Sequence, residues 1–153
     1  MIKISVCDDD EGQLTFFKQC FMEYNEKHKE KIEANFYQSV QSLLNEKKFS
    51  PDVYFLDIEL QDGNGLKLAG KIRTRNSKIP IVFITSHEEF MPEAFHVHAY
   101  QYLNEKKNAQ AVENVLNQLA DYFSEQNQIF SFQTYGEMIS LDCRDIICFT
   151  SEK

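Results

Sequence analysis

Val53-Tyr54-Phe55-Leu56-Asp57-Ile58 decides how the rest of the chain is read. Six residues, nearly all apolar and β-rich, bounded by Ser50-Pro51 before and Asp62-Gly63-Asn64-Gly65 after, describe a strand buried on both faces. Asp57 is the misfit. A lone carboxylate near the end of such a strand has no structural reason to be there, so it marks a site. Residues 79–85 repeat the pattern, Ile-Pro-Ile-Val-Phe-Ile-Thr, and two continuous apolar strands indicate a parallel sheet covered on both sides.

Working outward, short β-rich runs alternate with helical periodicity. Residues 2–7 alternate apolar and polar, then stop at Asp8-Asp9-Asp10. Leu14, Phe17, Phe21 and Tyr24 recur at helical spacing within 11–27. A weak strand is expected over 34–37 and a helix over 40–44. Further helices follow over 66–75, 88–97 and 109–123, with a strand over 99–103. Strict alternation of this kind gives an α/β fold of the flavodoxin-like doubly wound type, five parallel strands in the order 2-1-3-4-5 with helices on both faces. Ligands in that architecture sit beyond the carboxyl ends of the strands, where the order reverses. Those ends carry Asp8, Asp9 and Asp57.

Carboxylates converging there repel, by about 1–4 kcal/mol per pair at 4 Å between the dielectrics of water and of a protein surface. A hard divalent cation relieves that. Mg²⁺ takes one or two carboxylates together with waters and phosphate oxygens, and Asp57 is placed to act as a nucleophile toward a phosphoryl group. The plainer role for an aspartate ahead of a helix is to cap it, and one of Asp8, Asp9 and Asp10 is expected to do so.

Composition narrows the class. The chain has 153 residues, 42% hydrophobic and 26% charged, with 13 Phe and no Trp, which fits one globular domain and a short appendage. A net charge of −8 repels nucleic-acid phosphates and anionic bilayers, so this stretch alone is not expected to bind DNA, and any basic DNA-contacting part lies elsewhere. No stretch approaches the roughly 18 apolar residues of a membrane span, and no membrane partner is expected. Cys7, Cys20, Cys143 and Cys148 show no paired spacing, so they read as free thiols of a cytoplasmic protein. The His96/His98 pair lacks further ligands for zinc.

Ser5-Val6-Cys7-Asp8-Asp9-Asp10, Phe55-Leu56-Asp57-Ile58-Glu59-Leu60 running to Gly65, Phe83-Ile84-Thr85-Ser86-His87 and Ala99-Tyr100-Gln101-Tyr102-Leu103 together resemble the two-component response-regulator receiver family, over residues 1–124. The resemblance implies that Asp57 accepts a phosphoryl group from a histidine kinase. It implies Mg²⁺ on Asp8, Asp9, Asp57 and the backbone carbonyl of Glu59. It also implies a switch pair, Thr85 contacting the phosphoryl group and Tyr102 turning inward with it. The expected activity is that of a phosphoryl-accepting switch, not an enzyme, with at most self-dephosphorylation. One position departs from the family. Where a lysine is usual stands Glu105, followed by Lys106 and Lys107; Lys106 is the substitute, or the domain is a degenerate receiver serving as a phosphorylation-independent interaction module. A Mg²⁺-dependent phosphotransferase is a third reading, weakened because Glu59 would serve through its backbone and not as a general acid.

Residues 125–128 read as a linker. Residues 129–153, with Phe130-Ser131-Phe132, a turn at Gly136-Glu137, and apolar runs at 138–141 and 146–149, resemble the opening strands of a LytTR-type DNA-binding domain of the AgrA/LytR-like regulators, with the remainder of that domain cut off. The chain would then be the N-terminal part of a transcription regulator. Phe90, Phe95, Val97 and Tyr100 suggest a face for a homodimer.

Overall fold

The computed structural model describes residues 1–103, 107–126, 129–134 and 137–142. Five strands form a parallel sheet: β1 (Ile2–Cys7), β2 (Ile32–Tyr37), β3 (Val53–Asp57), β4 (Ile81–Ile84) and β5 (Gln101–Leu103), in the order β2-β1-β3-β4-β5. This is the expected topology. Five helices connect and follow them: α1 (Glu11–Lys27), α2 (Val40–Asn45), α3 (Gly65–Arg75), α4 (Met91–His96) and α5 (Ala109–Gln126).

Alternation along the central strand assigns the two faces. Phe55 meets Phe17 and Phe21 of α1 edge-on, with ring centroids 5.9 and 5.8 Å apart, and all three rings are buried. Burying a ring of this size contributes about 1.5–3 kcal/mol. Leu56 points the other way, into a core shared with Leu43 of α2, Leu68 and Ile72 of α3, Phe83 of β4 and Ala94 of α4. The start of α5 lies beside α1, where His28 Nε2 is 3.2 Å from Glu113.

Several element ends differ from expectation. β2 begins at Ile32 because its ladder with β1 runs from Ile2↔Ile32 onward, a pairing that offsets the poor strand propensity of Glu33. The expected helix over 88–97 divides into a 3₁₀ turn, Glu88–Phe90, and the shorter α4. β5 is shorter than expected because Ala99 N–H still donates to Ala94 and finishes the α4 end. His98 there adopts a left-handed φ of 53°, and the guanidinium of Arg73 donates to the carbonyls of Val97, His98 and Ile79. α5 continues to Gln126, through the first half of the stretch read as a linker.

The chain divides into two compact units, Met1–Val115 and Leu116–Lys153, with the boundary inside α5. The second contains an antiparallel hairpin, β6 (Ile129–Thr134) and β7 (Glu137–Asp142), paired from Ile129↔Asp142 to Thr134↔Glu137. The strand expected over 146–149 lies outside the described residues. Among the described residues no helix is long and apolar enough to cross a membrane.

Candidate functional site

β1 and β3 are neighbours in register, Cys7 opposite Leu56, so the residues that follow them emerge side by side at the carboxyl end of the sheet. Asp8, Asp9 and Asp57 meet there, each offering a carboxylate oxygen within 4.8 Å of the others. Asp8 and Asp57 are buried, at 0% and 1% exposure; Asp9 is half-buried. At that separation each pair of charges repels by roughly 1–3 kcal/mol. Cys7, just beneath, registers the field. Its thiol pKa is pushed up to about 12, first by burial and then by Asp62, Asp8, Asp57 and Asp9. A set of oxygen donors with this charge and spacing suits a hard divalent cation.

The three aspartates that end β1 have separate tasks. Asp10 is the helix cap: its Oδ1 accepts from Gly12 N–H at 2.8 Å and Gln13 N–H at 3.2 Å. Asp8 Oδ1 accepts from Asp10 N–H at 2.9 Å, which fixes the turn. Asp9 Oδ2 reaches across to accept from Gln61 N–H at 3.1 Å.

Past Asp57 the chain forms a two-rung ribbon, Glu59↔Asn64 and Leu60↔Gly63, and not the simple turn expected. Gly65 N–H donates to Ile58 O at 2.9 Å, bringing the chain back over Asp57 so closely that a Cβ on Gly65 would sit 2.0 Å from the Asp57 carbonyl oxygen. Only glycine fits there. Asp62, at the ribbon tip, accepts from the N–H groups of Val40 and Gln41 at 2.9 and 3.0 Å, capping α2. Those bonds hold its carboxyl below the usual aspartate range.

Thr85 follows β4, is fully buried, and its Oγ1 accepts from His87 N–H at 3.3 Å. Tyr102, in β5, is half-buried, and its hydroxyl donates to the His87 carbonyl. His87 lies between two carboxylates: Nε2 is 2.7 Å from Glu59 and Nδ1 is 3.0 Å from Glu89. It thereby spans from the β3–α3 ribbon to the β4–α4 loop. Glu59 itself is exposed. Asn104, Glu105 and Lys106 lie outside the described residues. Sequence reasoning missed Gln61 and Asp62 and the carboxylate partners of His87. Of these, only the Asp-Gly-Asn-Gly run carried a signal, and it pointed to a turn without naming what the turn holds.

The response regulator receiver domain family matches residues 4–117. The chain belongs to that family: it contains the receiver domain of a two-component response regulator, a regulatory switch module. An uncharacterized response regulatory protein of Yersinia pestis is 29% identical over 120 residues, covering 78% of this chain and 49% of that protein. The sensory transduction protein LytR of Staphylococcus haemolyticus is 32% identical over 111 residues, 72% of this chain and 42% of that protein. The transcriptional regulatory protein LytR of Staphylococcus aureus is 31% identical over 68 residues, 44% of this chain and 28% of that protein. The chain thus spans about half or less of the length of these curated relatives. Among solved structures, a CheY-like receiver domain protein from Methanospirillum hungatei superposes with a TM-score of 0.70 at 18% identity, covering 82% of this chain and 98% of that one. The response regulator TrrA of Thermotoga maritima, in complex with Mg²⁺ and beryllofluoride, gives 0.66 at 22% identity, covering 78% and 99%. These last two likenesses concern the fold.

Proposed function

We propose that this receiver takes a phosphoryl group on Asp57 from the phosphohistidine of a histidine kinase, with Mg²⁺ as cofactor. The observation that carries the reading is the meeting of Asp8, Asp9 and Asp57 within 4.8 Å at the ends of two adjacent strands. A carboxylate oxygen of Asp57 attacks phosphorus as the P–N bond breaks, and the imidazole leaves with a proton. Asp8, Asp9, Asp57 and the Glu59 carbonyl would hold Mg²⁺, which when bound neutralises charge on the transferring oxygens. Thr85 hydroxyl donates to the phosphoryl group, with Tyr102 following it, and Lys106 supplies the cation for which the usual position offers Glu105.

The test is incubation with Mg²⁺ and acetyl phosphate, or with beryllofluoride, read by intact mass and NMR. Modification or mimic binding that is lost in Asp57→Asn is the expected result. No modification, no mimic binding and no Mg²⁺ affinity would overturn it and leave the second reading, a phosphorylation-independent interaction module, which the acid at Glu105 favours.

The likeness to the LytR relatives supports a wider proposal, that the receiver controls a cytoplasmic transcription regulator. In that reading residues 1–124 are the receiver, 125–128 a linker and 129–153 the opening of a LytTR-type output domain, DNA is bound outside the receiver, and a homodimer forms about α4.

A further inference from the structure

A cavity lies at the opposite end of the sheet from the acidic cluster, between α2 and α3 where β3 and β4 begin. It has a volume of about 200 Å³. Its floor is apolar, made by Leu43, Ile72 and Ile79, all buried. Tyr54 forms a half-buried wall, and Lys71 and Arg75, one helical turn apart on α3, stand exposed at the rim.

The two cations are the unusual feature. Like charges at i and i+4 cost a helix a few tenths of a kcal/mol. Among the described residues neither has a carboxylate within 4.0 Å, although the chain carries a net charge of −8. Arg75 lies in the last turn of α3, where a cation complements the roughly half unit of negative charge at a helix C-terminus. That accounts for less than one of the two positive charges. Glu46, also on the rim, turns its carboxylate to the N–H groups of Lys48 and Phe49 at 2.6 and 3.2 Å, and Lys48 lies near enough to stabilise its charge. The rim is therefore net positive.

Tyr54 and Arg75, both on the cavity, lie close enough to influence one another. Burial raises the Tyr54 hydroxyl pKa, Tyr37 adds to the effect and Arg75 opposes it, so the three groups are within electrostatic reach.

We propose that this cavity binds a small organic anion, a carboxylate or phosphate monoester carrying one aromatic ring or branched chain, with the apolar group on Ile72 and Tyr54 and the anion between Lys71 and Arg75. The volume is below the ~300 Å³ of drug-sized sites, which limits the ligand to one ring or chain. Nothing in this proposal depends on phosphorylation of Asp57.

Three probes test it on the full chain by ¹H–¹⁵N NMR: 3-phenylpropionate, the neutral 3-phenylpropanol and acetate. The expected result is saturable shifts at Tyr54, Ile72 and Arg75 with 3-phenylpropionate alone, with the dissociation constant rising at least fivefold in Lys71→Gln/Arg75→Gln. Both substitutions are on exposed side chains, and the unchanged spectrum of the variant elsewhere verifies its fold. Equal binding of the alcohol, saturation of the same amides by acetate, or no shift at these residues would each overturn the proposal.

Discussion

The ribbon over 58–65 and the loop over 85–90 flank the same acidic cleft, and they are held in different ways. The first is tied at every step. Gln61 N–H rests on Asp9, Asp62 caps α2, Asn64 caps α3 through Leu66 and Lys67 N–H, Leu60 is buried, and Gly65 closes over Asp57. The second hangs on fewer and weaker contacts. Thr85 N–H joins Leu103 O at 3.0 Å, but the bonds to His87 N–H and from Phe90 N–H to His87 O are long, both at 3.3 Å, and α4 begins without any side-chain cap. The His87 contacts with Glu59 and Glu89 are solvent-exposed and so add little. Among the described residues the first wall is tied to two helices and to Asp9, and the second to Leu103 and Tyr102 of the edge strand. In the proposed switch the acidic side must stay in place while something beside it moves.

The hardest test of the rigid wall is Gly65→Ala. With only 2.0 Å between the added carbon and the Asp57 carbonyl oxygen, the helix start or Asp57's own backbone must shift, at an expected cost of about 3 kcal/mol in chemical denaturation. Gly70 supplies the internal control. It lies in the same helix with open space around it, so Gly70→Ala should stabilise by about 0.5–1 kcal/mol. Equal and mild effects at both sites would mean that the ribbon is not locked over Asp57.

Asp62→Ala probes the same wall farther from Asp57, and its effect should be smaller. Amide exchange at Val40 and Gln41 should quicken and the melting temperature fall at neutral pH. The dependence on pH follows from the direction of the shift. The folded-state pKa of Asp62 is lowered, by the Gln41 and then the Val40 amide, so its stabilisation is full above the ordinary aspartate value of 3.8 and disappears as pH falls through the lower folded value. The melting difference between parent and variant should therefore close in acid. A difference independent of pH would show that the carboxylate is not what holds α2.

These contrasts also explain what was legible in the sequence. The sheet was, because Asp57 interrupts an apolar run and the order of strands follows from strict βα alternation. The convergence of Asp8 and Asp9 with Asp57 followed from that topology alone, as did the capping by one of the three aspartates, which is Asp10. Thr85 and Tyr102 stood out only through family resemblance, since a threonine after a strand and a tyrosine in one are ordinary. The tethers of the rigid wall were not legible. Gln61 meets Asp9 across 52 positions and Asp62 meets Val40 across 22, and no local periodicity encodes a loop-to-loop contact. The partners of His87 were hidden for a related reason: Glu59 comes from another loop.

Tyr102→Phe tests the loose wall, with a smaller expected effect than the changes in the ribbon. It removes only the hydroxyl that donates to His87 O, a net loss of about 1 kcal/mol, while the ring keeps its half-buried place. If that bond is the main tie on the loop, exchange at His87 and Phe90 N–H should rise while Gln61 and Leu66 N–H stay protected. His87→Gln, by contrast, should leave the unfolding curve nearly superimposed on the parent's, because the contacts it loses are exposed. A Tyr102→Phe variant in which both walls loosen together would erase the distinction between them. The two loops would then open as one cooperative unit.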